Sequence, residues 1–175
     1  VTDLGGFVAS TYMRGIPFIN IPTSLLAMVD ASVGGKTGVD LGALKNLVGV
    51  INNPKGVLIY PDFLATLPTE ELRSGMAEMF KHGLISDEGY WHKMCNLSEL
   101  TEAHLGSLIY ESVIIKNEVV TQDPTEKGLR KTLNYGHTLG HAIESYCLQN
   151  PNRERLLHGE AIAIGMVLAT YLSVK

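Results

Sequence analysis

Leu67-Pro68-Thr69-Glu70-Glu71-Leu72-Arg73-Ser74-Gly75-Met76-Ala77-Glu78-Met79-Phe80-Lys81-His82-Gly83-Leu84 is where the chain changes character. A proline at the start, a threonine able to cap and two early acids suit the positive end of a helix dipole, so a helix from Pro68 to about Leu84 is expected. Upstream, short apolar runs alternate with turn chemistry. Phe18-Ile19-Asn20-Ile21 before Pro22-Thr23 reads as a strand, as does Gly56-Val57-Leu58-Ile59-Tyr60 before Pro61-Asp62. Between them, Leu25, Leu26, Met28, Val29 and Val33 place a helix over Ser24 to Val33, broken by Gly34-Gly35-Lys36-Thr37-Gly38. Downstream, helical periodicity returns over Thr101 to Thr121, Thr138 to Leu148 and Gly159 to Val174. The expected organisation is α/β followed by all-α, with the boundary near Thr66.

The composition narrows the function classes. Of 175 residues, 45% are hydrophobic and 18% charged, which supplies a buried core and argues against disorder. A net charge of -4 disfavours general nucleic-acid binding, although local cations can still hold an anionic small molecule. Two cysteines, Cys95 and Cys147, show no C-x-x-C spacing, which predicts a reducing, cytoplasmic setting with both packed as small hydrophobes. There is no apolar run of the ~18 residues a membrane span needs, so no membrane partner is expected. The chain begins at Val1, already inside an element, which predicts a piece of a longer chain. Eighteen glycines fall in short runs of the kind that let backbone approach a ligand.

Asn134-Tyr135-Gly136-His137-Thr138-Leu139-Gly140-His141 carries two histidines one helical turn apart, able to point into one site. The metalloprotease version of this spacing needs a glutamate directly after the first histidine; here Thr138 stands there. His158 precedes Gly159-Glu160 at the start of the last helix, where the dipole disfavours its cation and leaves the metal-binding neutral ring. Glu78 is surrounded by Met76, Ala77, Met79 and Phe80, so its burial needs a partner, and Lys81 one turn on is one. A carboxylate and two histidines with open positions suit a divalent Lewis acid. Spacing alone leaves Glu78, His82, His137, His141 and His158 as a pool, while His92 and His104 sit among polar residues and read as solvated. Asp30 to Thr37 fails as a phosphate loop, because Asp30 stands where glycine is required. Lys36, Lys45, Asn46, Lys81, Lys116 and Arg130 add cationic or polar groups, although lysines on helices ordinarily form solvated faces.

Taken together, Val1 to Phe7, Ile21 to Leu26, Val29 to Gly38, Arg73 to Glu78, Leu133 to Glu144 and His158 to Ala161 resemble the 3-dehydroquinate synthase family, in that family's order and over nearly the whole chain. The resemblance implies the C-terminal part of a dinucleotide-binding α/β domain over 1–65 and a helical metal- and substrate-binding domain over 66–175, with NAD and the ion meeting between them. Residue by residue it implies Glu78, His137 and His158 as ligands of zinc or cobalt, and moves His141 to the substrate. It implies Asp3, Thr23, Ser24, Lys36, Lys45, Phe63, Leu64, Ala65, Thr66 and Glu71 for NAD. For substrate it implies Asp30, Lys36, Asn46, Lys81, Lys116, Arg130, Asn134 and His141, with His141, Lys81 and Asn134 catalytic and Arg14 lent across a homodimer interface.

The implied reaction converts 3-deoxy-D-arabino-heptulosonate 7-phosphate to 3-dehydroquinate and phosphate in the shikimate pathway. A ring hydroxyl is oxidised transiently by NAD, phosphate leaves by β-elimination, the hydride returns, and an intramolecular aldol step closes the carbocycle. The family's first nucleotide-domain strands, last helices and a late substrate lysine are missing from this stretch, so weak NAD binding and little turnover are expected of it alone. Three other readings are another sugar-phosphate cyclase, a metal-dependent NAD polyol dehydrogenase of related fold, and a non-catalytic domain of a larger polypeptide.

Overall fold

Among the described residues, the four strands lie in the first third of the chain and no strand follows Thr69. The computed structural model describes residues 2–41, 44–96, 102–150 and 152–174, the side chains at 44, 45, 102 and 103 excepted. Helix α1 (Thr2–Thr11) packs on strand β2 (Lys36–Leu41), which pairs antiparallel with β3 (Leu44–Ile51) from Lys36↔Ile51 to Leu41↔Leu44, with an irregularity between Val39 and Leu41. Strands β1 (Ile19–Asn20) and β4 (Gly56–Val57) form a short parallel pair. Both are shorter than their apolar runs suggest, although Lys55 N–H to Phe18 O and Leu58 N–H to Asn20 O extend the contact.

The segment expected to be a helix over 24–33 is one only in part. It opens at Leu25 and widens into a π-type turn over Ala27–Ala31, with Ser32 N–H reaching Ala27 O five residues back. Such widenings rotate the residues that follow and recur at functional sites. Here one buries Met28 and Val29 completely while the next residue, Asp30, lines a cleft.

Helices α2 (Thr69–Ser86), α3 (Glu88–Cys95), α4 (Glu102–Gln122), α5 (His137–Gln149) and α6 (His158–Ser173) complete the chain. Thr69 lies inside α2 rather than capping it, and Pro68 holds the cap position without a side-chain bond. The main apolar cluster joins Leu25, Met28 and Val29 to Met79 of α2, Tyr90 and Met94 of α3, and Leu108, Ile109 and Ile115 of α4. Residues on both sides of Thr66 therefore share one core.

Candidate active site and metal centre

Glu78, Lys81 and His82 stand at i, i+3 and i+4 on one face of α2, and all three are buried. Charge in such surroundings must be paired. Lys81 donates to Glu78 Oε2 and stands 3.8 Å from Asp30 Oδ1, while Lys116 of α4 donates to the same Asp30 oxygen at 2.6 Å. Two carboxylates and two ammoniums thus alternate: Glu78, Lys81, Asp30, Lys116. Burial works against the Asp30 charge, but Lys116 and then Lys81 outweigh it and hold the carboxyl far below its ordinary range. Burial, with Asp30 nearby, pushes Glu78 upward against the opposing pull of Lys81. Burial pushes Lys116 downward, with Asp30 resisting. His82, desolvated and beside Lys81, is lowered to about 3 and bonds through Nδ1 to Ser112 Oγ at 2.7 Å.

The first residues of α5 and α6 bring two histidines to Glu78. His137 Nε2 and His158 Nε2 are each 3.7 Å from Glu78 Oε1, a fully buried oxygen that accepts no hydrogen bond. Donors at that separation can all lie within the ~2.0–2.2 Å reach of one divalent ion. The donor set, one carboxylate and two imidazoles, is the kind such an ion takes, and the orphaned oxygen is the observation that makes the fit. Desolvation and then Lys81 lower His137 to about 4, leaving the ring neutral, and its Nδ1 lies 3.3 Å from Tyr135 O. His141 joins them, with ring nitrogens of His137, His141 and His158 all within 4.8 Å of one another. Asp30, Glu78 and His82 form a second group within the same limit, but there Lys116 already bonds Asp30 Oδ1, Lys81 bonds Glu78 Oε2 and Ser112 bonds His82 Nδ1.

Close helix crossings set these positions. Gly136 begins α5 at φ +77, and a Cβ there would fall 2.6 Å from Met166 N of α6. A Cβ on Gly159 would lie 2.0 Å from Ser74 O, and Gly159 N–H instead donates to Ser74 Oγ at 2.9 Å. At Gly136 and Gly159 the space a side chain would need is thus taken by a neighbouring helix.

One cleft of about 580 Å³ gathers most of the expected residues. Asp3, Asp30, Lys36, Asn46, Lys81, Lys116, Arg130, Asn134, His137, His141 and His158 line it, and Glu78 lies beneath. Lys81 and Lys116 are buried network members, contrary to the solvated-face expectation for helical lysines. Arg130 is buried as well, donating to Gly34 O and Pro124 O and so joining the β2 approach to the helical part. Arg14 is exposed and lies off this cleft, as do Thr23, Ser24, Phe63, Leu64, Ala65, Thr66 and Glu71. The side chain of Lys45 lies outside the described residues, although its backbone is in β3. Cys95 is exposed rather than packed.

Sequence reading missed Glu126. It lines the cleft, bonds Lys36 through Oε2 and accepts from Asn134 Nδ2 at 2.6 Å through Oε1. Burial opposes its charge, yet those two partners hold the carboxyl below its ordinary range. Its backbone sits at φ +59, in a loop after α4 organised by Asp123, whose carboxylate accepts N–H bonds from Lys127, Gly128 and Arg130. Asp123-Pro124 just after an apolar helix was the available signal for an ordered loop.

This arrangement has relatives. Residues 1–74 match the family model described as 3-dehydroquinate synthase N-terminal, and residues 75–175 match the one described as 3-dehydroquinate synthase C-terminal. The chain belongs to the 3-dehydroquinate synthase family. A 3-dehydroquinate synthase of Streptococcus pyogenes is 49% identical over the whole chain, and one of Streptococcus sanguinis is 47% identical. The chain spans about half the length of these curated relatives, 48% and 49%. Among solved structures, 2-epi-5-epi-valiolone synthase from Streptomyces hygroscopicus, with NAD+ and Zn2+ bound, superposes with a TM-score of 0.81 at 35% identity, covering 99% of this chain and 49% of that one. A 2-deoxy-scyllo-inosose synthase complexed with carbaglucose-6-phosphate, NAD+ and Co2+ gives 0.81 at 30% identity over 98% of this chain and 48% of that one. These superpositions, and the strands-then-helices order of this chain, accord with the fold class read from sequence.

Proposed function

We propose that the intact polypeptide bearing this chain is a 3-dehydroquinate synthase, a phosphate-eliminating lyase acting on 3-deoxy-D-arabino-heptulosonate 7-phosphate. The observation that carries this reading is the unpaired Glu78 Oε1 facing two histidine Nε2 atoms beneath a cleft lined by Lys36, Lys81, Lys116 and Arg130. Similarity of 47–49% to enzymes of that name supports it further.

Glu78, His137 and His158 are the residues we assign to a zinc or cobalt ion. That ion would polarise substrate hydroxyls, and NAD would accept and return a hydride. The remaining residues bind, orient and move protons. Lys81 and Lys116, fixed by Asp30 and Glu78, present ammonium groups to an anionic substrate without needing to reorganise. Arg130 and Lys36 extend that positive wall toward a carboxylate or phosphate. His141, which lines the cleft and is exposed, is placed to take or return a proton, and Asn134, held by Glu126, to orient the group that leaves. Asp3 and Lys36 would contribute to the NAD site with Thr23, Ser24, Lys45, Phe63 to Thr66 and Glu71, and Arg14 would serve a dimer partner's site. We read 1–65 as part of the NAD domain, 66–175 as the metal and substrate domain, and the cytoplasm as the compartment.

Incubating the intact polypeptide with the heptulosonate phosphate, NAD and Zn2+ should release inorganic phosphate with no net NADH. Phosphate release only from sedoheptulose 7-phosphate, which lacks the carboxylate, would support a different cyclase. NADH accumulating with a simple polyol would support a dehydrogenase.

A further inference from the structure

We infer that Glu144 is a positioning residue for the metal centre, accepting the Nδ1 proton of His158 so that Nε2 is left free for the ion. The inference rests on the ligand set proposed above.

His137, His141 and Glu144 stand at i, i+4 and i+7 on α5, one continuous stripe. The stripe runs from the putting-together of donors at Glu78 to the far side of the His158 ring. Glu144 is a buried carboxylate, 6% exposed, in the middle of a helix with no basic residue in its last turn. Its Oε2 lies 3.6 Å from His158 Nδ1, while the opposite nitrogen of that ring lies 3.7 Å from Glu78 Oε1. The imidazole is therefore held between two carboxylates.

His137 supplies an internal comparison. It too presents Nε2 to Glu78 Oε1 at 3.7 Å, and its Nδ1 faces an acceptor, the Tyr135 carbonyl, at 3.3 Å. A neutral imidazole carries one proton, so an acceptor beside Nδ1 selects the Nδ1–H tautomer and leaves the Nε2 lone pair for a cation. Both rings have this polarity, the one set by a backbone carbonyl and the other by a carboxylate. The 3.6 Å separation exceeds a hydrogen bond, and a ring displacement of under an ångström closes it. A carboxylate behind a ligating histidine fixes ring orientation and strengthens donation to the metal.

The test uses Zn2+ affinity of the intact polypeptide, measured by competition with a chelator, together with long-range proton–nitrogen NMR of the His158 ring in the metal-free protein at a pH where the ring is neutral. Glu144→Ala should weaken Zn2+ binding by about 10- to 100-fold, and Glu144→Gln, which keeps an acceptor oxygen, by less. His158→Ala should weaken it more, and adding Glu144→Ala to it should cost nothing further. In the metal-free protein the neutral His158 ring should carry its proton on Nδ1, a preference that Glu144→Ala should weaken and that a purely structural role for Glu144 would not require. If His158→Ala loses zinc while Glu144→Ala and Glu144→Gln stay within about twofold of the parent, the inference falls and the ligand set stands. If His158→Ala itself binds zinc normally, the ligand set falls and the inference with it. Should Glu144→Ala fail to fold, the unaltered protein still decides: a metal-free, neutral His158 protonated on Nε2 overturns the inference.

Discussion

Asp30 decides how the buried cations are tolerated. Lys116 is buried against it at 2.6 Å, so removing the carboxylate strands an ammonium in the interior. Breaking one half of such a pair costs about 3–5 kcal/mol. Asp30→Asn should therefore lower the urea midpoint strongly, and Lys116→Met in the same chain should recover much of the loss. His82 sets a pH dependence. Its folded value of about 3 lies below its unfolded value, so its stabilising contribution is present above about pH 6.5 and lost as pH falls. The charges facing it are Lys81, Asp30 and Lys116. In the metal-free protein His137, at about 4, adds a slope of the same sign. By pH 5 the His82 loss alone reaches roughly 2 kcal/mol. Urea midpoints at pH 7 and pH 5 should therefore differ less in His82→Met than in the parent. Glu78 and the histidines were legible because their residue types stand out in apolar or paired settings. Choosing among them rested on the family resemblance, since one-turn spacing treats His137 and His141 alike. Glu126 was not legible: it belongs to a non-periodic loop and takes its role from a left-handed backbone and partners 90 and 8 residues away.

The helices from α4 to α6, and α2, follow their apolar periodicity to within a few residues. Helix α1 was hidden because Gly5 and Gly6 are poor helix formers, and packing on β2 overrides that preference. Helix α3 is short, with only Tyr90 and Met94 buried, though Asp87 accepting from Tyr90 N–H was a readable cap. The β2–β3 hairpin was missed because its lysine- and glycine-bearing strands lack clear alternation. Element contacts also locate the most sensitive glycine. Gly159→Ala forces a methyl group against Ser74 O at the start of α6, where backbone must move. Overpacking of this kind costs about 1–3 kcal/mol. Thermal unfolding should register that loss, and because His158 adjoins the displaced residue, Zn2+ affinity should fall with it.

At the scale of the molecule, polar and charged groups gather in one cleft while apolar side chains stand exposed at two other places. Val8, Tyr12 and Met13 are exposed near the first helix, and Val167, Tyr171 and Leu172 on α6. Where such side chains form one contiguous patch they mark contact surfaces. Expressed alone, the 175-residue chain should bind a hydrophobic dye and self-associate in sedimentation experiments; a dye-silent monomer would show the faces to be too dispersed to matter. None of the described helices is long and apolar enough to cross a membrane. Zinc stoichiometry reads out the ligand set. Measured on the intact polypeptide, Glu78→Ala, His137→Ala and His158→Ala should each lose tightly bound zinc, while His141→Ala retains one equivalent. Retention by Glu78→Ala together with loss by His141→Ala would overturn that ligand set and place the ion among His137, His141 and His158 instead.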